Sequence, residues 1–565
     1  MSQADIFGRG ERWRDRLVFG AVAQQARRRL PRLRPLAARL ADLMPFEGIS
    51  DPTRNRGAWL GLADIWPGDR AQGQTFLDAW GPDPRALYEP SADATDHGHG
   101  FDWLRDLASV DTAAARSLAH AATAHWLAQY GRWQALAWRS DLLARRLANW
   151  SAHFVFIASG APDAAAGQAM QDRLVASARR QLRYLCRAGA EDVDGQARIG
   201  AVCHGIVAAI ALMPGQAIGE QVATRPLLRL MTRLSAALDS QLQPDGGHVS
   251  RSPARQFAVV CDLAAARHAL ATSLLGVPEW LQRALDRAAP VLRMLRHGDG
   301  GLALFQGAQE GRAEAVALAL ERSLAVGASP VLARHVGYAR VAAGNALLIM
   351  DCAAAPPPAG HAAPLAIELS VGRQRVFVNC GAMVDGGTAW RTAMRATAAH
   401  STLTLADTNA DPGADAGAEA GDRRQPAVNE MEGAFLVEAT HLGYAARFGL
   451  AHKRAIYCDP EGQDWRGEDT LLPIGNAVPD RQMFAIRFHL HPRVRATLAQ
   501  DQATVLIRLP DKSGWRFRAR GGQVRLASSI YIPDGEAVQR CEQIVVSGTS
   551  DQGGAQVQWA LQRVA

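Results

Sequence analysis

The chain has 565 residues, 48% hydrophobic, 21% charged and 6% aromatic; this length calls for more than one core, and the composition excludes wholesale disorder. No run approaches the ~18 uninterrupted apolar residues of a membrane-crossing helix. Cys186, Cys203, Cys261, Cys352, Cys380, Cys458 and Cys541 form no CxxC pair, which argues against a disulfide framework or a cysteine-built zinc site. The net charge of +7 comes from a basic set of 60 arginines and two lysines, and residues 1–45 hold ten of those arginines against four acids. The rest of the chain is close to neutral, which argues against a nucleic-acid enzyme.

Residues 1–50 form a basic segment whose spacing predicts one or two amphipathic helices, broken near Pro31 and Pro35. It lacks the apolar stretch and small-residue cleavage site of a secretory signal. Two readings stand: a helical arm with a solvated arginine face, or contact with an anionic membrane surface. Residues 51–100, rich in Gly, Pro, Asp and Trp, read as a loop-rich connection with short strands, as around WPGDRAQGQTF. From 101 to 330 apolar residues recur at three and four, which predicts helices over 111–130, 132–158, 166–188, 194–213, 221–242, 252–274 and 279–296. Turn chemistry separates them at SGAPD, MPGQA, QPDGGH, LLGVPEW and HGDGG. Serial antiparallel helices without a fixed repeat suggest a helical toroid or array rather than a classical solenoid. From 331 to 565 the period becomes two, in runs such as ALLIMD, RVFVNCG, AFLVEAT, FAIRFHL, TVLIRL and WRFRAR, which predicts an antiparallel β-sandwich. The polar excursion 409–426 reads as a mobile loop.

Four runs, in order, resemble the heparinase II/III-like family of polysaccharide lyases: WRSDLLARRLANWSAHF at 138–154, PDGGHVSRSPARQ at 244–256, GHAAPLAIELSVGRQRVFVNCG at 360–381 and AHSTLTLADTN at 399–409. The resemblance implies an incomplete α/α toroid followed by a β-sandwich, in agreement with the periodicity. It implies β-elimination on a uronate-containing anionic polysaccharide. A base takes the C5 proton, an acid protonates the leaving O4, and a cation or strong donor steadies the charge that spreads into the carboxylate. Arginine suits the last role because its planar fork meets both oxygens.

The sequence departs from the family where that chemistry sits. No Asn opens the helix at 194–207, where Arg198 and then His204 are the nearest substitutes, and Ser252-Pro253 is followed by Ala254 and Arg255 rather than a tyrosine. The candidates for proton transfer are therefore His248, His400 and Tyr444, and those for the carboxylate are Arg251, Arg198 and Arg255. Asn149 and His153 share a helical face, with Asn149 a substrate-binding candidate or a helix–helix hydrogen-bonding residue. The metal-binding pattern implied by the resemblance falls on His361, Asn379 and His400, a weak zinc set because an amide oxygen is a poor zinc ligand. His489 and His491 share a strand face, and Asp299 shapes its glycine turn.

Three functions follow from these features. The first is a lyase acting on an anionic polysaccharide, requiring no cofactor, with a divalent metal (Zn) in the β domain an option rather than a need. The second is a non-catalytic glycan-binding or scaffold protein on the same fold, suggested by the missing Asn and Tyr. The third is a glycoside hydrolase, for which Asp245 is one carboxylate without a convincing partner. The absence of a signal points to the cytoplasm or the inner membrane face, whereas the family resemblance points to export.

Overall fold

The structure, a computed structural model, describes residues 61–81, 83–88, 98–213, 224–273, 275–353, 360–384, 386–410, 425–474 and 480–564. The basic N-terminal segment and most of the 409–426 excursion lie outside them. The chain divides into two compact units, one running to Leu234 and including His268–Gly276, the other made of Ser235–Arg267 and Val277 onward.

The first unit is helical. Its helices are α1 Arg70–Trp80, α2 Trp103–Val110, α3 Ala113–Gln129, α4 Ser140–Ala152, α5 Phe154–Ser159, α6 Ala164–Ala188, α7 Gly195–Ala211 and most of α8 Arg225–Gln241. Local chemistry sets the ends: Thr112 accepts from Ala115 N and Asp163 from Ala166 N, each relieving an orphan donor of the first turn. Gly189 closes α6 at φ +72, a conformation that favours glycine. The centre is aromatic, with Phe101, Trp126 and Trp150 in mutual edge-to-face contact. Arg146 is fully buried on this cluster, 4.1 Å from the Trp126 ring centroid. It donates to Gln181 Oε1 and to the carbonyls of His99 and Ala137, and burial without a carboxylate pulls its pKa well down.

Two expectations change here. WPGDRAQGQTF is not a strand: Asp69 caps a helix through Ala71 N and Gln72 N, and α1 follows. The helix expected over 132–158 is two helices, α4 and α5, interrupted at His153. Among the described residues no helix is long and apolar enough to cross a membrane.

The second unit takes up the rest of the α-helices, α9 Pro253–Thr272 in its first part, α10 Glu279–Met294, α11 Ala313–Arg322, α12 Gly387–Arg395 and the short α13 Ala445–Phe448. Its strands are β1 Leu332–Ala333, β2 Tyr338–Ala343, β3 Ala346–Asp351, β4 Ile367–Val371, β5 Gln374–Val378, β6 Leu403–Leu405, β7 Ala427–Met431, β8 Ala434–His441 and β9 Leu450–Cys458. They continue with β10 Asp464–Pro473, β11 Met483–Leu490, β12 Arg495–Leu498, β13 Thr504–Arg508, β14 Gly514–Arg520, β15 Gln523–Tyr531, β16 Gln539–Thr549 and β17 Ala555–Val564. One antiparallel sheet runs β1-β2-β3-β4-β5-β11-β16-β15 with β6 also on β11, and the other runs β12-β13-β14-β17-β10-β9-β8-β7. Alternation of apolar and polar residues turns one face of each sheet inward. Met350, Leu369, Phe488 and Ile544 from the first sheet meet Trp465, Trp515, Phe517 and Trp559 from the second in one core. Every run predicted as a strand within 331–565 contains one. The fold is thus a helical region followed by an antiparallel β-sandwich.

Candidate functional site

The turn 242–252 joins α8 to α9 and is held by its own polar groups. Asp245 accepts from Gly247 N, His335 N and Val336 N, so the one carboxylate considered for hydrolysis is spent as a brace. Arg251 sits at φ +60, a left-handed conformation rare for a residue with a side chain. From there its guanidinium donates to Val336 O and pairs with Asp351, and its backbone carbonyl accepts from Tyr338 Oη. Both partners of the ion pair are buried. Arg251 is therefore a structural tie to the start of the sandwich rather than a free fork for a substrate carboxylate.

His248 is buried in the same turn. Its Nδ1 accepts from Ser250 N at 3.1 Å and lies 2.7 Å from Ser250 Oγ, so the ring proton is on Nε2, which has no hydrogen-bond partner among the described residues. Burial, with Arg255 nearby, lowers its pKa to about 4, and the ring is neutral at pH 7. Arg255 itself is exposed at the start of α9.

The Asp351 carboxylate passes the network on. Gln306 Nε2 lies 3.5 Å from Asp351 Oδ2, and Gln306 Oε1 accepts from His361 N at 2.8 Å. His361 and His400, both called candidates on sequence, are brought together: His361 Nδ1 is 3.1 Å from His400 Nε2, the rings nearly perpendicular. The tautomers follow from the far end. The Ala396 carbonyl lies 2.9 Å from His400 Nδ1 and can only accept, so that nitrogen carries the proton. His400 Nε2 then accepts from His361 Nδ1–H, which leaves a lone pair on His361 Nε2. A Cβ on Gly307 would come within 3.3 Å of that atom, so the glycine keeps the space beside it open. Burial is the largest cause in lowering both pKa values, His361 to about 3 with help from His400 and Arg395, and His400 to about 4.

The zinc set does not fit. Asn379 donates its amide N–H to Glu368 Oε1 and its carbonyl oxygen accepts from Ser401 N, so its amide is already engaged at both ends, and the two histidines face each other. Glu368 is itself saturated by Leu304 N, Asn379 N and His297 Nε2. Among the described residues no group of three or more His, Cys, Asp or Glu is placed to hold a metal ion.

Tyr444 is fully buried and donates its hydroxyl to Leu403 O. That bond, not exposure to a substrate, explains its place. His489 bonds Ser529 Oγ and Ala398 O inside β11, whereas His491 lies beyond the strand and accepts from Arg493 N. Asp299 does shape its turn, accepting from Gly301 N and pairing with Arg375.

Arg198, His204 and Asn149 belong to the helical unit. Arg198 donates to Val193 O and lies 3.5 Å from Asp194, folded back on the start of its own helix. Asn149 donates to Gly100 O and Asp102 Oδ1, the structural role weighed for it on sequence. His204 is half-buried in α7. The His361 Nε2 lone pair could not be read from sequence, because it depends on a chain of tautomers across segments 39 residues apart.

The comparisons with known proteins agree with this architecture. The family model described as "Heparinase II/III-like, C-terminal" matches residues 325–560. The chain is 29% identical over 575 residues to FtsZ-localized protein C of Caulobacter vibrioides, covering 97% of this chain and 93% of that protein. A solved heparinase III superposes with a TM-score of 0.68 at 14% identity, over 94% of this chain and 89% of that one. The heparan sulfate lyase HepC of Pedobacter heparinus gives 0.61 at 14% identity, over 94% and 87%. The Streptomyces coelicolor chondroitin AC lyase gives 0.52 at 12% identity, over 90% and 82%. Residues 325–560 thus match the model of a heparinase II/III-like C-terminal domain, and the chain as a whole shares the fold of the solved heparinase III.

Proposed function

We propose that this chain is a non-catalytic binding protein on a lyase fold, acting in a complex with FtsZ at the cytoplasmic face of the membrane. The observation that carries this reading is that most of the polar groups elimination would use in the sandwich unit are already spent. Arg251 is tied to Asp351, Tyr444 to Leu403 O, and His400 to Ala396 O and His361. A general base works best with a pKa near the working pH, and His361 at about 3 is far below it. Support for the partner is the likeness, over nearly the whole of both chains, to a protein named for its localisation with FtsZ. The basic segment 1–45 would supply electrostatic contact with anionic lipid. The test is binding of the purified full chain to purified FtsZ of the same organism, measured by biolayer interferometry. Saturable binding is expected, and its absence at micromolar concentrations would remove the reading.

A second reading, cleavage of a uronate polysaccharide by β-elimination, is favoured by one observation, the unshared lone pair on His361 Nε2. In that case His361 would take the C5 proton and exposed Arg255 would hold the carboxylate. Elimination leaves a conjugated C4–C5 double bond that absorbs in the ultraviolet. A rising signal on any of a panel of uronate polysaccharides, lost in His361→Ala, would favour it.

A further inference from the structure

The outward face of the second sheet carries an array of arginines that the reading above does not use. On β14 the inward residues are Trp515 and Phe517, so Arg516, Arg518 and Arg520 all point out. On the next strands Arg508 of β13 and Arg495 of β12 share that face. Arg495 and Arg508 are direct cross-strand partners and both are exposed. Like charges directly opposite destabilise a sheet, so the fold alone does not favour this pair. None of the five makes an ion pair with a described residue. Arg516 reaches Gln562 with Nη2 but its Nε is buried without a partner.

The nearby carboxylates offset the array only in part: Asp501 interacts with the charge of Arg518, and none forms an ion pair with it among the described residues. Asp501 is committed to the β12–β13 turn, accepting from Ala503 N, Thr504 N and Thr504 Oγ1, and that hydroxyl in turn accepts from Arg518 Nε. Asp511 accepts from Ser513 N and Oγ in the next turn. Asp464 and Glu468 lie on β10, beyond β17, where Asp464 pairs with Arg466 and Glu468 accepts from Gln558. The positive charge is therefore a strip over β12–β14, not a whole face. Two exposed apolar residues are set into it, Leu506 opposite Arg516 and Val564 opposite Gly514.

We propose that the β12–β14 arginine strip is a docking surface for an extended acidic segment of a partner protein. Arg516, Arg518 and Arg520 repeat at every second residue, ~7 Å apart. Acidic side chains on one face of an extended peptide repeat at the same distance, so a strand laid along β14 meets one arginine with each. Leu506 and Val564 give apolar contact that the apolar side chains of a partner peptide can match. An anionic membrane plane would meet Asp464 and Glu468 as well as the strip, whereas a single extended segment meets the arginines alone. The surface stands independently of the partner named above.

The test uses the full chain and labelled synthetic peptides of about 12 residues, one with glutamate at alternate positions separated by Leu and Ser, and one of the same composition with its glutamates in a block. Fluorescence anisotropy should show the alternating peptide binding several-fold tighter, and Arg508→Glu with Arg518→Glu should weaken it by about 10-fold or more, in line with reversal of interface charge. Arg508→Glu should at the same time raise the unfolding midpoint slightly, because it replaces a repulsive cross-strand pair with an attractive one against Arg495. Equal affinity for both peptides, unchanged binding in the variants, or no binding at all would overturn the proposal. So would tighter binding, at equal charge, of a heparin oligosaccharide or of phosphatidylglycerol vesicles that the same variants abolish.

Discussion

The sandwich unit contains two histidine relays, and they end differently. In one, Gly443 N donates to His441 Nδ1, His441 Nε2 donates to His452 Nδ1, and His452 Nε2 donates to Asp469. Arg454 and Trp559 Nε1 also end on Asp469, so every ring nitrogen and the carboxylate are satisfied. In the other, Ala396 O, His400 and His361 form the same kind of chain, but it stops at an unshared lone pair beside Gly307. The closed relay contributes stability and specificity of packing. The open one ends on an acceptor that no described residue uses.

The largest effect should come from breaking the closed relay. Asp469→Ala leaves Arg454 buried without its counter-charge and His452 without its acceptor, a loss of about 3–5 kcal/mol of the kind seen when one partner of a buried pair is removed. Urea denaturation should show it as a fall in midpoint with unchanged slope. Removing the open end should cost much less. His361→Ala deletes one hydrogen bond to His400 and is expected to destabilise by about 1 kcal/mol. If the two variants were equally destabilised, the distinction between the relays would fail.

Acid should expose both relays. His248, His361 and His400 have folded pKa values of about 4, 3 and 4, below the ~6.5 of a free histidine. Between those values the unfolded chain binds more protons than the folded one, so stability falls as pH drops below ~6.5. The slope is about 1.4 kcal/mol per pH unit for each histidine still neutral in the fold. The Asp469 pKa is lowered, mainly by Arg454, so its own contribution is present above ~3.9 and is lost only at lower pH. Thermal melts from pH 7 to 4 should therefore decline steadily, and His400→Gln should reduce the slope. A flat profile would mean that the rings are not buried neutral. An effect as small as that of His361→Ala, about 1 kcal/mol, is expected at Gly307→Ala, because φ is +74 and the new Cβ crowds His361 Nε2.

The fold was legible in the sequence because it rests on periodicity. WRFRAR alternates inward tryptophan and phenylalanine with outward arginine, and Ser252-Pro253 marks where α9 begins. α1 was missed because Pro67-Gly68 and Gln-rich polarity mask a helix whose signal is the Asp69 cap. β10, β15 and β17 were missed because their polar outward residues dilute the apolar ones. The site was less legible. His361 and His400 were named from the resemblance, but their pairing, and the capture of Arg251 and Tyr444 by structural partners, depend on contacts between distant segments that no local pattern encodes.

The most direct test of the central claim, that this is a lyase fold kept for binding, is ultraviolet absorbance of the full chain on a panel of uronate polysaccharides at neutral pH, run beside FtsZ binding on the same preparation. The account predicts no absorbance change on any polysaccharide and saturable FtsZ binding that His361→Ala leaves intact. A rising absorbance that His361→Ala abolishes would contradict it and make the open relay an active site.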